Sequence, residues 1–99
     1  MGRAVDVEFE WDEDKAAANL AKHDVSFEEA ATVFADPVAV VLDDEVHSIE
    51  EHREIIVGYS AGGRLLIVCF TERPPAIRIT SARRATKRER KAHEENKTR

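Results

Sequence analysis

The last quarter of the chain concentrates side chains that could do chemistry on an anionic substrate. Arginine binds a phosphate through two parallel N–H groups, and the imidazole of histidine gives or takes a proton near neutral pH. Both types occur within one short segment, which we interpret as the region around which the chain is organised. Its basic residues are Arg78, Arg83, Arg84, Lys87, Arg88, Arg90 and Lys91, and they are followed by His93.

The charge of the chain is divided between two regions of opposite sign. Residues 76–99 carry nine lysine or arginine residues and three glutamates, a balance of +6. Residues 1–75 carry six basic and seventeen acidic residues, a balance of −11, so the net charge of −5 conceals the contrast. Because a positive surface attracts phosphates and a negative surface attracts basic proteins, we expect partners of both kinds.

A strand and a helix are predicted to position the basic residues of the last quarter. Ile77 and Ile79 alternate with Arg78, which predicts a strand whose guanidinium group lies on the face opposite the isoleucines. Thr86 and Glu89 have the spacing of a capping box, which predicts a helix that begins at Thr86. That box favours a structural role for Glu89, and a role as a catalytic acid is the alternative.

A second group of polar residues lies on a helix predicted from Asp12, the N-cap, to His23. Lys15, Asn19 and Lys22 recur at helical spacing and form one polar stripe, with His23 beside it. Such a stripe is as typical of a solvated face as of a binding site. The residues expected to face the core are Ala17, Leu20 and Ala21.

The rest of the pattern alternates strands with short helices. Val5 to Trp11 alternates apolar and acidic residues and predicts a strand, and Ser26 opens a second helix that ends before Pro37. Residues 38–42 predict a further strand, and residues 45–52 an acidic loop. Residues 53–59 and 64–71 predict a hairpin joined by a Gly-rich connection, with Leu65 to Phe70 as the central strand.

These elements predict an α+β fold: an antiparallel sheet meander packed by two N-terminal helices and a C-terminal helix. We expect a single domain over residues 1–99, with flexible ends at 1–4 and 95–99. The chain has no apolar run long enough to cross a bilayer and no signal-peptide pattern, so we expect a cytoplasmic protein that does not bind membranes. The single cysteine, Cys69, lies in an apolar run and is predicted to be a buried core residue.

Taken together, several segments resemble the BrnT toxins of bacterial type II toxin-antitoxin systems, which are similar in fold to RelE-type ribonucleases. The resemblance extends from Phe9 to His93, and it depends on the whole set of segments because no single motif is specific. The chain departs from the family pattern at Asp24, where glycine is usual, and at His93, where tyrosine is usual. The matching residues are Phe9–Asp12, Lys15, Asn19, Lys22–His23, Val25–Ala30, Phe34, Asp36, Glu51, Arg53, Gly58, Arg78–Arg83 and Glu89–Arg90.

The resemblance implies a RelE-like ribonuclease that cleaves RNA and inhibits translation. It also implies neutralisation by a BrnA-like antitoxin with a ribbon-helix-helix part, promoter DNA bound only through the antitoxin complex, and a toxin dimer within a heterotetramer. No cofactor is expected. Glycine would serve as a left-handed helix cap at position 24, so aspartate is expected to adopt that conformation at a greater cost.

RNA cleavage without a metal needs groups that transfer protons and cations that stabilise the phosphorane charge. We assign proton transfer to His23 and His93, and charge stabilisation to Lys22, Arg53, Arg78 and Arg83. The hypothesis is that Arg78 and Arg83 meet the stripe of the first helix around one phosphate. The residues assigned to RNA binding are Lys15, Arg84, Lys87 and Arg90.

Two alternatives remain open from the sequence. Asp43-Asp44-Glu45 or Asp12-Glu13-Asp14 could bind Mg²⁺, with His47 and His52 nearby, although adjacent acids in a turn more often serve solubility or helix capping. The second alternative is a non-catalytic binding module that regulates through a nucleic-acid-binding partner.

Overall fold

The computed structural model describes residues 7–45 and 51–97 and shows a five-stranded sheet with three α-helices. The strand order is β1-β5-β4-β3-β2, so β4 is central as predicted. The strands are β1 (Glu8–Glu10), β2 (Val40–Asp43), β3 (Glu54–Tyr59), β4 (Leu65–Arg73) and β5 (Ala76–Arg84). The helices are α1 (Glu13–His23), α2 (Phe27–Thr32) and α3 (Lys87–Lys97), and a 3₁₀ turn (Val33–Ala35) follows α2.

The α+β class is confirmed, but the prediction of a wholly antiparallel sheet is wrong for β1. Strands β2 to β5 form an antiparallel meander, whereas β1 pairs with β5 in parallel, with Phe9 opposite Ile77. The two helices carry the chain from β1 to β2 at the opposite edge of the sheet, where β2 runs in the direction opposite to β1. The three reversals of the meander then bring β5 beside β1 in the same direction. The sheet is therefore mixed.

One face of the sheet carries the hydrophobic core. Leu66, Val68 and Ile79 are at most 1% exposed, and they pack against Phe27 and Val33 from the helices. Two ring contacts, Phe9 to Phe34 at 5.2 Å and Phe34 to Phe70 at 5.0 Å between centroids, extend this layer. Helix α2 and the 3₁₀ turn after it contribute Phe27, Ala30 and Val33 to this core, and all three are 0% exposed.

The predicted ends of α1 are confirmed, but its predicted inner face is wrong. Asp12 accepts a hydrogen bond from the N–H of Lys15 at 3.0 Å, and Asp24 ends the helix in the left-handed conformation with φ 60°. Leu20 is 50% exposed, whereas Asn19 is 8% exposed. The physical reason is that α1 lies along the edge of β5, where the Asn19 side chain bonds to the backbone of Ala82.

The N-terminal caps of α3 and α2 differ in the structure. In α3 the box is complete: Thr86 Oγ1 accepts from the N–H of Glu89 at 3.1 Å, and the Glu89 carboxylate accepts from the N–H of Thr86 at 2.8 Å. In α2 only half is present, because Ser26 accepts from the N–H of Glu29 while the Glu29 carboxylate binds Arg64. Tertiary pairing with arginine thus displaces the local bond.

Some predictions concern residues outside the described ranges. They are the expected flexibility of residues 1–4 and of the last two residues, the first residues of the predicted N-terminal strand, and most of the acidic loop with His47. Helix α3 continues to Lys97, so helical backbone extends into the segment expected to be flexible. Within the described ranges, no helix has the length and apolar character needed to cross a bilayer.

Candidate active site

The face of the sheet opposite the core carries Arg78, as its alternation with Ile77 and Ile79 predicts. Strand β5 places Arg78 beside Glu10 of β1, and the Arg78 Nη1 lies 3.2 Å from the Glu10 carboxylate. The Arg78 side chain is 30% exposed, so it is held by this ion pair while part of it faces solvent. The guanidinium of Arg78 is thus fixed on the sheet face opposite the core.

Two further arginines join Arg78 and form, with it, the arginine cluster of Arg53, Arg73 and Arg78. Arg73 at the end of β4 makes a bidentate ion pair with Glu51: its Nε and Nη2 atoms donate to the two carboxylate oxygens at 2.8 and 3.0 Å. The Nη1 atom of Arg73 lies 3.9 Å from the Glu10 carboxylate. The pKa of Glu51 is lowered, first by the hydrogen bond from Arg73 and further by the charges of Arg73, Arg53 and Arg78. Three cations therefore surround two carboxylates.

Arg73 was missing from the residues that we assigned from the sequence. It stands at the end of the strand that contains the apolar run, next to the Pro74–Pro75 turn, and no motif singled it out. Its period-two relation to Thr71, which lies opposite Arg78, would have placed it on the same face as Arg78. That alternation is the signal from which it could have been found.

The N-terminus of α1 borders the arginine cluster. The pKa of the Asp12 carboxyl is lowered, first by the donating N–H of Lys15 and to a smaller extent by the charges of Lys15 and Arg78. Lys15 is exposed and adds a further cation beside the cluster. The structure thus brings the predicted residues Lys15, Arg53 and Arg78 to one end of β5.

Arg83 occupies the other end of β5 and is held by α3. Its Nη1 and Nη2 atoms donate to the two oxygens of Glu89 at 2.8 and 2.9 Å. Arg83 and the capping bond to Thr86 lower the pKa of Glu89 to about 2, so Glu89 is a carboxylate at neutral pH. This geometry supports the structural role of Glu89, since a group ionised at neutral pH is a poor proton donor.

His93 lies on the inner side of α3 and is 7% exposed. Its ring meets that of Tyr59 edge-on at 5.8 Å between centroids, and Tyr59 donates to Glu94 at 3.0 Å. Within the described residues, the buried Nε2 of His93 has no hydrogen-bond partner. The pair of Glu89 and His93 that the sequence spacing allows does not form, because the Glu89 carboxylate binds Arg83 and Thr86.

Lys22 and His23 lie in the last turn of α1, which runs beside β5 in the same direction. Asp12 interacts electrostatically with Arg78, and Asn19 binds Ala82. Since these contacts occur in the same order along both elements, α1 and β5 run parallel to each other. His23 is one helical turn beyond Asn19 on the same face, which places it toward the Arg83 end. His23 is half-buried and Lys22 is exposed.

The structure does not bring all of these groups around one phosphate, contrary to the hypothesis drawn from the sequence. Arg78 and Arg83 are five residues apart on β5, a backbone separation of about 15 Å. Their guanidinium groups are held by acids of different elements, Glu10 on β1 and Glu89 on α3. The predicted set is therefore divided between two cationic regions, one at each end of β5.

Two of the predicted RNA-binding residues meet beside the Arg83 region. Arg84 and Arg90 line a cavity of 280 Å³ together with Arg64, whose side chain is held by Glu29. Lys87 lies exposed in the first turn of α3. This arrangement suits contact with the backbone phosphates of a nucleic acid, because such contacts need positive charge but no base-specific geometry.

The acidic residues that were considered as an alternative, metal-binding site include Asp43, which lies at the opposite edge of the sheet. Ligand atoms of Asp43, His52 and Glu54 lie within 4.8 Å of one another. The pKa of Glu54 is raised, first by burial and then by the hydrogen bond and charge of Glu72. Of the two acidic runs considered from the sequence, only Asp43 enters this group, and His47 lies outside the described residues.

The fold and this surface define an α+β protein that presents arginine-rich regions on the sheet face opposite its core. The sequence profile described as "Ribonuclease toxin, BrnT, of type II toxin-antitoxin system" matches residues 11–89. The chain therefore belongs to the BrnT family of ribonuclease toxins, and type II membership implies an antitoxin partner.

A solved structure has the same fold. The crystal structure of the Brucella abortus ribonuclease toxin BrnT, at 1.1 Å resolution, superposes with a TM-score of 0.64. The match covers 83% of this chain and 100% of that chain, at 24% sequence identity. A comparison with curated proteins finds no match.

Proposed function

We propose that this chain is an endoribonuclease that cleaves RNA without a metal ion in the cytoplasm, inhibits translation and is neutralised by a BrnA-like ribbon-helix-helix antitoxin. Promoter DNA is bound only through the antitoxin complex, in which two toxins form part of a heterotetramer. The observation that carries the proposal is the pair of arginine regions along β5, combined with membership in a ribonuclease toxin family. The relation to RelE-type ribonucleases belongs to the same proposal.

The division of β5 into two regions favours separate roles for its arginines. The arginine cluster has the charge to hold the RNA backbone, and Lys15 extends it. At the other end, we assign stabilisation of the developing phosphorane charge to Arg83, and proton transfer to His23 in the last turn of α1 and to His93 on α3. Lys22, Arg84, Lys87 and Arg90 surround this end with further positive charge.

The test compares arginine variants of purified, antitoxin-free protein on RNA. Arg78→Ala and Arg83→Ala are expected to slow cleavage at least about 100-fold while the thermal unfolding transition remains cooperative. Arg88→Ala, on an exposed position of α3, is the matched control and should cleave at the wild-type rate. Wild-type cleavage by both Arg78→Ala and Arg83→Ala would contradict the assignment.

Metal independence has its own test, because Asp43, His52 and Glu54 are close enough together to share a cation. Cleavage is expected to continue in EDTA at the same rate. Loss of cleavage in EDTA that Mg²⁺ restores would contradict the proposed mechanism, and Glu54→Gln would then show whether this group is responsible.

A non-catalytic binding module is the second candidate, and specific observations favour it. Arg78 and Arg83 are each paired with a carboxylate, and the Nε2 atom of His93 is buried. Intact RNA after incubation with the antitoxin-free protein, together with harmless overexpression, would support this alternative over the ribonuclease.

A further inference from the structure

The two edges of the sheet are treated differently by this fold. At one edge, β1 is only three residues long and carries two glutamates, and beyond its pairing with the start of β5 the Asn19 carboxamide bonds to both the N–H and the C=O of Ala82. At the other edge, nothing in residues 7–45 and 51–97 pairs with the outer side of β2. An open edge offers backbone donors and acceptors to another chain.

The backbone groups that β2 offers can be identified. The N–H of Asp44 donates to the C=O of Arg53 at 2.9 Å, in register with the pairing of Leu42 with Ile55 and Val40 with Val57. Since hydrogen-bonding direction alternates along an antiparallel strand, Val40 and Leu42 also bond toward β3. The N–H and C=O groups of Val41 and Asp43 therefore point outward.

The side chains of this edge are apolar on both faces. Val38, Val40, Val41 and Leu42 are between 41% and 52% exposed, and they are four of the six large hydrophobic residues exposed in the described part of the chain. Val40 and Leu42 line a groove of 380 Å³ between the sheet and α3, with Ile55, Val57 and Ile67. Within β2 itself, neither a lysine nor a proline protects the edge.

The end of this edge is acidic. Asp43 is paired across the strands with Glu54, the pKa of Glu54 is raised by burial and by the neighbouring Glu72, and the His52 imidazole lies 3.2 Å from the Asp43 carboxylate. Within the described residues, three acidic side chains therefore meet at this end of the edge. A strand added beside β2 would place one of its side chains directly opposite Asp43, in the same row. A lysine or arginine at that position would neutralise the group.

We propose that an extended segment of the antitoxin pairs with the outer edge of β2 as a sixth strand, with apolar side chains beside Val40 and Leu42 and a basic side chain opposite Asp43. This inference rests on the proposed function only in taking the partner to be the antitoxin. The acidic end disfavours RNA, and it disfavours a second copy of a chain with net charge −5, because the carboxylates of both copies would approach one seam.

Amide hydrogen exchange tests the pairing directly, and it is measured on the toxin alone and on the toxin with its full-length antitoxin. The amides of Val41 and Asp43 are expected to exchange rapidly in the free toxin and at least about 100-fold more slowly in the complex. The amides of Val40 and Leu42, already bonded to β3, serve as internal controls. Unchanged exchange at Val41 and Asp43 in the complex would overturn the proposal, as would the same protection rising with the concentration of free toxin.

Two variants of Val41 distinguish the contribution of its backbone N–H to antitoxin binding from the contribution of its side chain. Val41→Pro removes an outward N–H without breaking the β2–β3 ladder and should weaken antitoxin binding at least about 100-fold, whereas Val41→Ala keeps the N–H and should bind within about tenfold of wild type. Asp43→Lys should also weaken binding, and more so at low salt. If Val41→Pro fails to fold, the Asp43→Lys variant is the test. Wild-type antitoxin affinity of Asp43→Lys would then overturn the proposal.

The ribonuclease assay keeps the two proposals distinguishable. Val41 lies on β2, across the sheet from β5, so the free Val41→Pro variant should cleave RNA like the wild type while escaping antitoxin inhibition. If wild-type protein cleaves no RNA, the proposed function fails, and the exchange of the Val41 and Asp43 amides still decides whether the edge is paired.

Discussion

The side chain of Asn19 completes the hydrogen bonding of Ala82, which lies 63 residues further along the chain. Asn19 Nδ2 donates to the Ala82 carbonyl at 2.8 Å, and Asn19 Oδ1 accepts from the Ala82 N–H at 3.1 Å. The same Nδ2 donates to the carbonyl of Val25 at 2.9 Å. One carboxamide therefore fixes α1, the start of α2 and the edge of β5 relative to one another.

Loss of the Asn19 carboxamide is expected to destabilise the fold strongly. Asn19→Ala leaves buried backbone groups of Ala82 and Val25 without partners, so the free energy of unfolding should fall by about 3 kcal/mol. Asn19→Asp should also destabilise, because a carboxylate cannot donate to the two carbonyls. Urea unfolding measures both, with the exposed Asn96→Ala as the control; a loss below about 0.5 kcal/mol in Asn19→Ala would contradict this role.

The ion pair of Arg83 and Glu89 predicts that the free energy of unfolding decreases at acidic pH. The pKa of Glu89 falls to about 2 in the folded protein, below its ordinary value. A lowered folded-state pKa stabilises the fold above the ordinary carboxyl pKa, and that contribution is lost as the pH falls toward 2. Since Glu89 is partly exposed, solvent screening reduces the effect to about 1–2 kcal/mol.

Comparison of the wild type with Glu89→Gln from pH 7 to pH 2 measures this contribution. The difference in free energy of unfolding should be constant near neutral pH and shrink as Glu89 is protonated. Glu28→Gln, at an exposed position in the first turn of α2, is the matched control. A difference between wild type and Glu89→Gln that does not change with pH would show that the ionisation of Glu89 is not responsible.

The burial of the His93 imidazole allows its contribution to the free energy of unfolding to be measured separately from its contribution to the cleavage rate. His93→Phe keeps the ring contact with Tyr59 and removes an unpartnered buried nitrogen, so the free energy of unfolding should rise by about 1 kcal/mol. His93→Ala should lower it by about 2–3 kcal/mol through loss of packing. The exposed His52→Ala is the control for removing an imidazole.

Cleavage rates of the same His93 variants decide the predicted catalytic role. If His93 transfers a proton, His93→Phe should be folded but at least about 100-fold slower. A wild-type rate in that variant would assign His93 to the packing of α3 alone and leave proton transfer to His23.

Asp24 adopts the left-handed conformation that glycine occupies without a steric penalty. Asp24→Gly should therefore raise the free energy of unfolding by about 1 kcal/mol. The Arg64 hydrogen bond to the carbonyl of residue 24 would be kept, and the exposed 3.6 Å ion pair that is lost contributes little.

Asp24→Asn is the matched variant, since it removes the charge but keeps the side-chain shape and should change stability by less than about 0.5 kcal/mol. Thermal unfolding of the wild type, Asp24→Gly and Asp24→Asn provides the comparison. A lower midpoint in Asp24→Gly would mean that the ion pair outweighs the backbone conformation.

Local patterns in the sequence determined the elements and their ends. The period-two alternation around Arg78, the N-cap at Asp12 and the capping box of Thr86 and Glu89 depend only on neighbouring residues, and all three are confirmed. The resemblance to the BrnT family is confirmed by the profile match. The catalytic and RNA-binding assignments made from the sequence stay predictions.

Tertiary structure decided what those elements meet. Asn19 belongs to a polar stripe in the sequence, yet it is buried because β5 presents backbone groups that only a carboxamide satisfies together. The arginines of β5 are held by Glu10 and Glu89, from opposite ends of the chain, and Arg73 joins them through a strand with no motif of its own. The sequence pattern predicts the face of a strand or helix on which a side chain lies. The residues that this side chain contacts depend on which strands and helices become neighbours in the fold.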